Sequence, residues 1–348
     1  MQKMTNDKNQ QMNTAAIKRD QGFTILELII SMVIFTIVTG AVFGVLQIAR
    51  KTRSVVTQST GLNKTVRLAL NLMGRDTYNA GYGYPLLPAI VVIPDNRITT
   101  LLNIPNDADT VRDTVPPIIA SNDLTANTFN QTAGTTTDQI SFLFKDSTFN
   151  LVGAAPDQVS QPLNVFGATT GTGFSQIVPV AGSNLACRVN DLYLISGSNG
   201  STIALATSLI SPDKIRFANS DILGINLAGS VDSVEGITTP ASIQRVKMIT
   251  YLVTTDGILM RREYANAPPV TPAVAFVDEP LVYGVEAFQI TYVMDDGTTA
   301  SNPSNLAAVR QVRYTIGVRS TELDSSGRPF KVQMTSTFGT RNLGYDAN

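Results

Sequence analysis

The stretch Gly22-Phe23-Thr24-Ile25-Leu26-Glu27, with the apolar run behind it, decides how this chain is to be read. Positions 28–46 carry no charge, and their polar interruptions are only Ser31, Thr36, Thr39, Gly40 and Gly44. As a helix rising 1.5 Å per residue, the run spans about 28 Å, close to the ~30 Å of a bilayer core. Glu27 sits at its head. An acid placed centrally in a membrane helix costs roughly 2.5–3.5 kcal/mol, so a carboxylate here is a functional residue by default. A cleaved secretory signal would have a shorter apolar core, of about 7–15 residues, followed by small residues. Here the run is longer and ends in Gln47-Ile48-Ala49-Arg50-Lys51. An uncleaved signal anchor would account for the length, but not for Glu27 or the Gly-Phe junction.

Phe23 and Glu27 are four apart and share one helix face. A positive charge at Phe23 would therefore lie one turn from the carboxylate, at the positive end of the helix dipole, and would compensate it.

These residues resemble the N-terminal signature of type IV pilins and type II secretion pseudopilins: a polar leader ending in Gly, a Phe, a short apolar step, and Glu as the fifth mature residue. The resemblance implies that Gly22 precedes the prepilin peptidase cut, that Phe23 becomes the methylated N-terminus, and that Glu27 is the family's assembly acid. Ile25-Leu26 replaces the usual Leu-Ile order, and Gln21 stands where the family has a basic residue. The leader, 1–22, is polar and long for the family, and Met12 is an alternative start. Basic residues flank both ends of the span, so the positive-inside rule leaves the orientation open. The resemblance puts the leader in the cytoplasm and the head in the periplasm.

The composition excludes several chemistries. The chain has no histidine, which removes Ser-His-Asp and Cys-His catalysis and every His-ligated metal site. Cys187 is the only cysteine, so there is no internal disulfide. It reads as a small buried apolar residue, against an exposed thiol pairing between chains. A net charge of −1, more acidic once the leader with Lys3, Lys8, Lys18 and Arg19 is gone, argues against nucleic acid as the main partner.

Beyond the span, apolar or small residues recur in steps of four and three at Val55, Ser59, Leu62, Val66, Leu70 and Met73. The opposite face holds Arg53, Thr57, Thr60, Lys64, Arg67, Asn71 and Arg75. This predicts an amphipathic helix with one buried stripe, continuous with the membrane span and ending near Tyr78 before the Gly81, Gly83 and Pro85 stop signals. Gly40 and Gly44 form a small-x-x-x-small pair, read either as a packing or local melting site inside a filament or as ordinary glycine use in a membrane helix.

The rest is predicted to be β-rich. Strand signals lie at 89–93, 139–144, 191–196, 202–209, 244–253, 287–294, 309–320 and 331–341. Asp256-Gly257 between two β-prone runs predicts a hairpin with a type I′ turn. Val312, Tyr314, Ile316 and Val318 alternate with Arg313, Thr315, Gly317 and Arg319, a strand with one buried and one wet face. The stretches 85–137 and 145–190 read as long loops.

The order of these pieces resembles PilW-type minor pilins. Leu72-Met73-Gly74-Arg75-Asp76-Thr77-Tyr78-Asn79-Ala80-Gly81-Tyr82 is similar to their helix ending, and Gly257-Ile258-Leu259-Met260-Arg261 to their "Gly-x-Leu-x-Arg" hairpin. Leu281-Val282-Tyr283-Gly284-Val285 is similar to their "Leu-Val-x-Gly-Val" segment, and Arg341-Asn342 to their closing "Arg-Asn". The fold expected is α+β and pilin-like: a cleaved leader 1–22, a long helix 23–78 with its membrane span at 23–49, and a large antiparallel β-rich head, 79–348.

The function implied is that of a minor pilin that initiates or caps a type IV pilus. Its implied partners are other minor and major pilins, the prepilin peptidase and methyltransferase, the inner-membrane assembly platform, and membrane lipid before assembly. A J-type pseudopilin of type II secretion and a tip-located adhesin or DNA-binding pilin are the alternatives. No cofactor and no enzymatic role are expected. Asp295-Asp296-Gly297 and Asp107/Asp109 offer oxygen ligands for calcium, but without an EF-hand pattern they read as solvated turns. The basic residues Arg310, Arg313, Arg319, Arg328, Lys331 and Arg341 read as the wet face of two strands.

Overall fold

The structure is a computed structural model, and it describes residues 22–84, 89–91, 102, 113–126, 136–147, 163–171, 174–179, 188–197, 200–211, 214–219, 221–226, 241–266, 275–323 and 327–343. The chain divides into two units, Met1–Ser54 and Val55–Asn348. Helix α1 (Ile25–Asn79) begins in the first and ends in the second.

In the first unit every described residue is exposed except Thr39, which is half-buried. Among the described residues α1 is the one helix long and apolar enough to cross a membrane. Among the described residues none covers its apolar surface.

In the second unit the stripe read from the sequence faces the core. Val66, Leu70 and Met73 are buried, Val55, Ser59 and Leu62 half-buried, and all seven residues of the opposite face exposed. Burial of each large apolar side chain stabilises the fold by about 1.5–3 kcal/mol.

The strands, in chain order, are β1 (Ala89–Val91), β2 (Asp113–Val115), β3 (Ile118–Ala126), β4 (Thr136–Lys145), β5 (Leu163–Gly171), β6 (Phe174–Pro179), β7 (Leu192–Gly197), β8 (Gly200–Leu205) and β9 (Ser208–Ser211). They continue with β10 (Lys214–Ala218), β11 (Ala241–Val253), β12 (Ile258–Tyr264), β13 (Phe276–Tyr283), β14 (Val285–Met294), β15 (Thr299–Ala300), β16 (Val309–Leu323) and β17 (Pro329–Gly339). One four-stranded antiparallel sheet runs β15-β14-β16-β17. The other strands form a branched network around β11, in which only the β1–β8 contact is parallel. The first part of β11 pairs with β5 and β7, and its second part with β4 and β12.

That branching builds two cores. Phe142, Ile249, Tyr251, Phe288 and Tyr314 close over the α1 stripe in one. Tyr84, Leu143, Leu194, Leu205, Met248 and Tyr264 form the other. Successive side chains of a strand point to opposite faces, so β4 and β11 serve both: Phe142 and Ile249 face the first core, Leu143 and Met248 the second. A strand between two cores is covered on both faces, which is why β4 is buried along its interior, Thr137, Asp138, Gln139 and Ser141 included.

The α+β expectation, a long N-terminal helix packed on an antiparallel β-rich head, holds. Two expectations do not. The stretches 85–137 and 145–190, read as long loops apart from the strand signal at 89–93 that β1 matches, also contain β2, β3, β5 and β6. In β3 the polar run Ser121-Asn122-Asp123 hides the strand, because the ladder slips register between Ser121 and Thr125 while Asp123 sits at φ 55°. The hairpin at Asp256-Gly257 is not type I′. Within that loop only Gly257 has positive φ, at 74°, and its amide donates to the Thr254 carbonyl at 2.9 Å. A type I′ turn needs positive φ at both central residues, whereas a longer loop closed by one left-handed glycine does not.

Candidate functional site

At the head of the span, Thr24 and Glu27 cap the helix reciprocally. The Thr24 amide and hydroxyl each donate to Glu27 Oε2 at 3.3 Å, and the Glu27 amide donates to Thr24 Oγ1 at 3.3 Å. This is a Thr-x-x-Glu capping box, a signal present in the sequence but not used in the reading above. It points the carboxylate back toward Gly22 and Phe23. Phe23 is 80% exposed. A Cβ at Gly40 or Gly44 would meet nothing within 4 Å, so both present bare backbone outward.

The other end of the helix is a joint built from four distant fragments. Asp76 is only 1% exposed. Its Oδ2 accepts from the Tyr251 hydroxyl at 2.7 Å and from Arg261 Nε at 3.1 Å, while Arg75 reaches Oδ1 at 3.2 Å. Burial, then the Asp76 charge, pushes the Tyr251 hydroxyl far above its ordinary pKa, so it remains a donor. Thr77 donates to Met73 O, which leaves Tyr314 to donate to Thr77 Oγ1 at 2.5 Å.

Gly81, at φ 76°, ends the helix, and a Cβ there would lie 2.8 Å from the Asn342 carbonyl. Asn342 Nδ2 donates to Tyr78 O and Ala80 O at 3.3 and 3.4 Å, satisfying carbonyls that the helix leaves free. Arg341 lies over the Tyr78 ring and donates to its hydroxyl at 3.1 Å. Gly284, at φ 77°, lets Val285 donate to Gly257 O and lets Arg319 donate to Gly284 O. Residues of 72–82, 257–261, 281–285 and 341–342 are therefore brought to one region of the second unit.

From Asp76 a line of alternating charges runs through Arg261, Glu263, Lys247, Asp146, Arg245 and Asp191, with N···O distances of 3.1–3.9 Å. It links the helix end to β7 across the wall between the two cores. Burial raises the Asp191 carboxyl above its ordinary range, with Arg245 acting against the rise.

Of the other candidates, Asp296 Oδ1 is engaged by the amide and hydroxyl of Thr298, and Asp295 faces Arg310 at 3.8 Å. Asp107, Asp109 and Cys187 lie outside the described residues, and among the described residues no cluster of three metal-binding side chains is present. In the basic tail, Arg319 and Lys331 both hold Glu286, Arg310 caps Leu343 O, and Arg313 reaches Thr337.

Residues 17–43 match the family described as a prokaryotic N-terminal methylation motif. The chain carries a prepilin-like N-terminus. The matched residues include the Gly22-Phe23 junction, the Thr24–Glu27 cap and Gly40. The motif supports a type IV pilin or pseudopilin, a structural subunit processed by a prepilin peptidase and assembled with other pilins. Together with the exposed apolar helix, it supports membrane anchoring and association with a pilus. Neither the curated proteins nor the solved structures gave a match.

Proposed function

We propose that the chain is a minor pilin: a non-enzymatic subunit of a type IV pilus that helps to initiate or cap assembly. The observation that carries this reading is the methylation motif, with Gly22-Phe23 at a junction and Glu27 one turn on. In this reading 1–22 is the leader, 23–78 the long helix with its inner-membrane span at 23–49, and 79–348 a periplasmic head that reaches the cell surface on assembly. Gly22 is the residue before the cut and Phe23 the methylated N-terminus. Glu27 compensates the new amine of its own or a neighbouring subunit, and Gly40 and Gly44 let helices approach closely.

The minor role rests on size. A compact head of ~270 residues has a radius of gyration of about 18 Å, against about 13 Å for ~100 residues. Helices packed roughly 8–10 Å apart crowd such heads along a shaft, while an end leaves one side open.

Mass spectrometry of the chain from membranes that contain the peptidase is expected to find Phe23 at the N-terminus and methylated, and Gly22→Ala to retain the leader. An intact leader on the unaltered protein would sink the pilin reading. Quantification of sheared, purified fibres tests the rest, with a few copies per fibre expected. Finding this chain as the most abundant subunit would refute the minor role. Finding it only with secretion machinery would favour the pseudopilin alternative.

A further inference from the structure

Among the described residues six strands lie at sheet edges: β2, β3, β9, β13, β15 and β17. An edge strand offers a row of unpaired N–H and C=O groups, and proteins ordinarily blunt such edges with short length, charge, proline or bulges. Five of the six are blunted. β2, β9 and β15 have three, four and two residues. β3 is interrupted by the register slip at Ser121/Thr125 and by Asp123. β13 holds Pro280, exposed Asp278 and Glu279, and pairs across a slip at Leu259/Met260.

β17 is the least guarded of the six, its one slip lying at its start, opposite Arg319 and Leu323. Its eleven residues contain proline only at the first position, and its pairing with β16 runs without a slip from Gln311↔Gly339 to Arg319↔Lys331. Lys331, its one charged residue, is tied back to Glu286 at 2.8 Å.

The register identifies which groups are free. Thr340 donates to Arg310 O, and the Phe330 amide donates to Ser320 Oγ. Amides of even-numbered residues thus point toward β16, and those of Lys331, Gln333, Thr335, Thr337 and Gly339 point away from it. The side chains that face the helix core from this strand, Val332, Met334 and Phe338, are only half-buried. One more strand would finish covering them.

We infer that the outer edge of β17 is an assembly surface that takes an extended segment of a neighbouring pilin-like subunit as a fifth strand of the β15-β14-β16-β17 sheet. The occupant carries no basic residue along this edge, since Lys331 stands exposed on β17 and Arg313 reaches across from β16 to Thr337. It carries apolar side chains at alternate positions on the side that meets Val332, Met334 and Phe338. Main-chain bonds supply the affinity and the alternating apolar contacts the selectivity, as in other strand additions. This inference rests on the pilin reading only in the nature of the partner.

The test compares Thr335→Pro with the unaltered full-length chain. Proline at an outward N–H spares the ladder to β16, so the melting temperature in detergent is expected to stay within about 2 °C while incorporation into sheared fibres falls at least tenfold. Residue-resolved hydrogen exchange on the unaltered chain is the second readout. Amides of Gln333, Thr335 and Thr337 should exchange at least tenfold more slowly in the assembled state than in the isolated chain. If Thr335→Pro lowers the melting temperature, the exchange measurement decides. Normal incorporation of Thr335→Pro would overturn the inference. So would slow exchange of these amides in the isolated monomer, which would mean that the chain covers its own edge, or protection that rises with concentration of the pure chain, which would make a second copy the occupant. Peptide mapping of the same samples reports the N-terminus. An intact leader with assembly-dependent protection at β17 would therefore remove the pilin reading and leave the edge in place.

Discussion

Asp76→Ala lowers the melting temperature of the full chain in detergent by on the order of 10 °C. The substitution leaves Arg261 and Tyr251, both buried, facing an empty site. Removing one member of a buried ion pair costs about 3–5 kcal/mol where the remaining charge is left uncompensated; Arg261 keeps Glu263 and Glu279, which puts the cost at the lower end of that range. For a domain of this size each kcal/mol moves the midpoint by roughly 2–4 °C. The cost belongs to the stranded groups and not to the pair as such. Replacing all three, as Asp76→Leu, Tyr251→Phe and Arg261→Met together, is therefore expected to recover most of the loss. Glu263 and Glu279, the other partners of Arg261, retain contact with water. A loss of only a degree or two for Asp76→Ala would show that the joint at the helix end is solvated.

Val66→Asp is the second large effect. Val66 is fully buried in the middle of the α1 stripe. Placing an unpaired carboxylate there costs several kcal/mol, or shifts its pKa until it is neutral. Melting well below the unaltered chain is expected at neutral pH, with part of the loss regained in acid, where a raised carboxyl pKa allows protonation. A melting temperature within a degree or two of the unaltered chain would mean that the stripe does not carry the fold.

Both effects bear on what could be read from the sequence. The stripe was legible because a helix repeats every 3.6 residues, and Val66, Leu70 and Met73 announce one face without reference to anything distant. The strand at 309–320 was legible for the same reason with a period of two. Asp76 was not. It lies on the continuation of the stripe, where a charged residue breaks the pattern, and its partners Tyr251 and Arg261 are far along the chain. A polar residue at a stripe position was the available clue. The fragments that hold Asp76, Arg261, Gly284 and Asn342 were visible as separate pieces, and only the fold shows that they meet. At the other end, the methylation motif was legible because its spacing is local, and the Thr24–Glu27 cap could have been found from those four residues. β3 and β5 were missed because bulges and runs of Asn, Thr and Gly erase the alternation that marks a strand.

The distance between the stripe and its covering strands sets an order in time. α1 is made early, while the groups that close over its second half, Tyr251, Phe288, Tyr314 and finally Asn342, come near the end of the chain. At roughly 5–20 residues per second, synthesis leaves Val66, Leu70 and Met73 uncovered for on the order of 10–50 s. No local contact can fold this half of the helix in the meantime, because its partners are nearly all non-local and their pairing is inherently slow. A ribosome that stops anywhere before Asn342 therefore yields a chain whose helix end has no cap, and in most cases a bare apolar face as well. Truncation late in this sequence acts on an element made much earlier, because Asn342 bonds to the Tyr78 and Ala80 carbonyls.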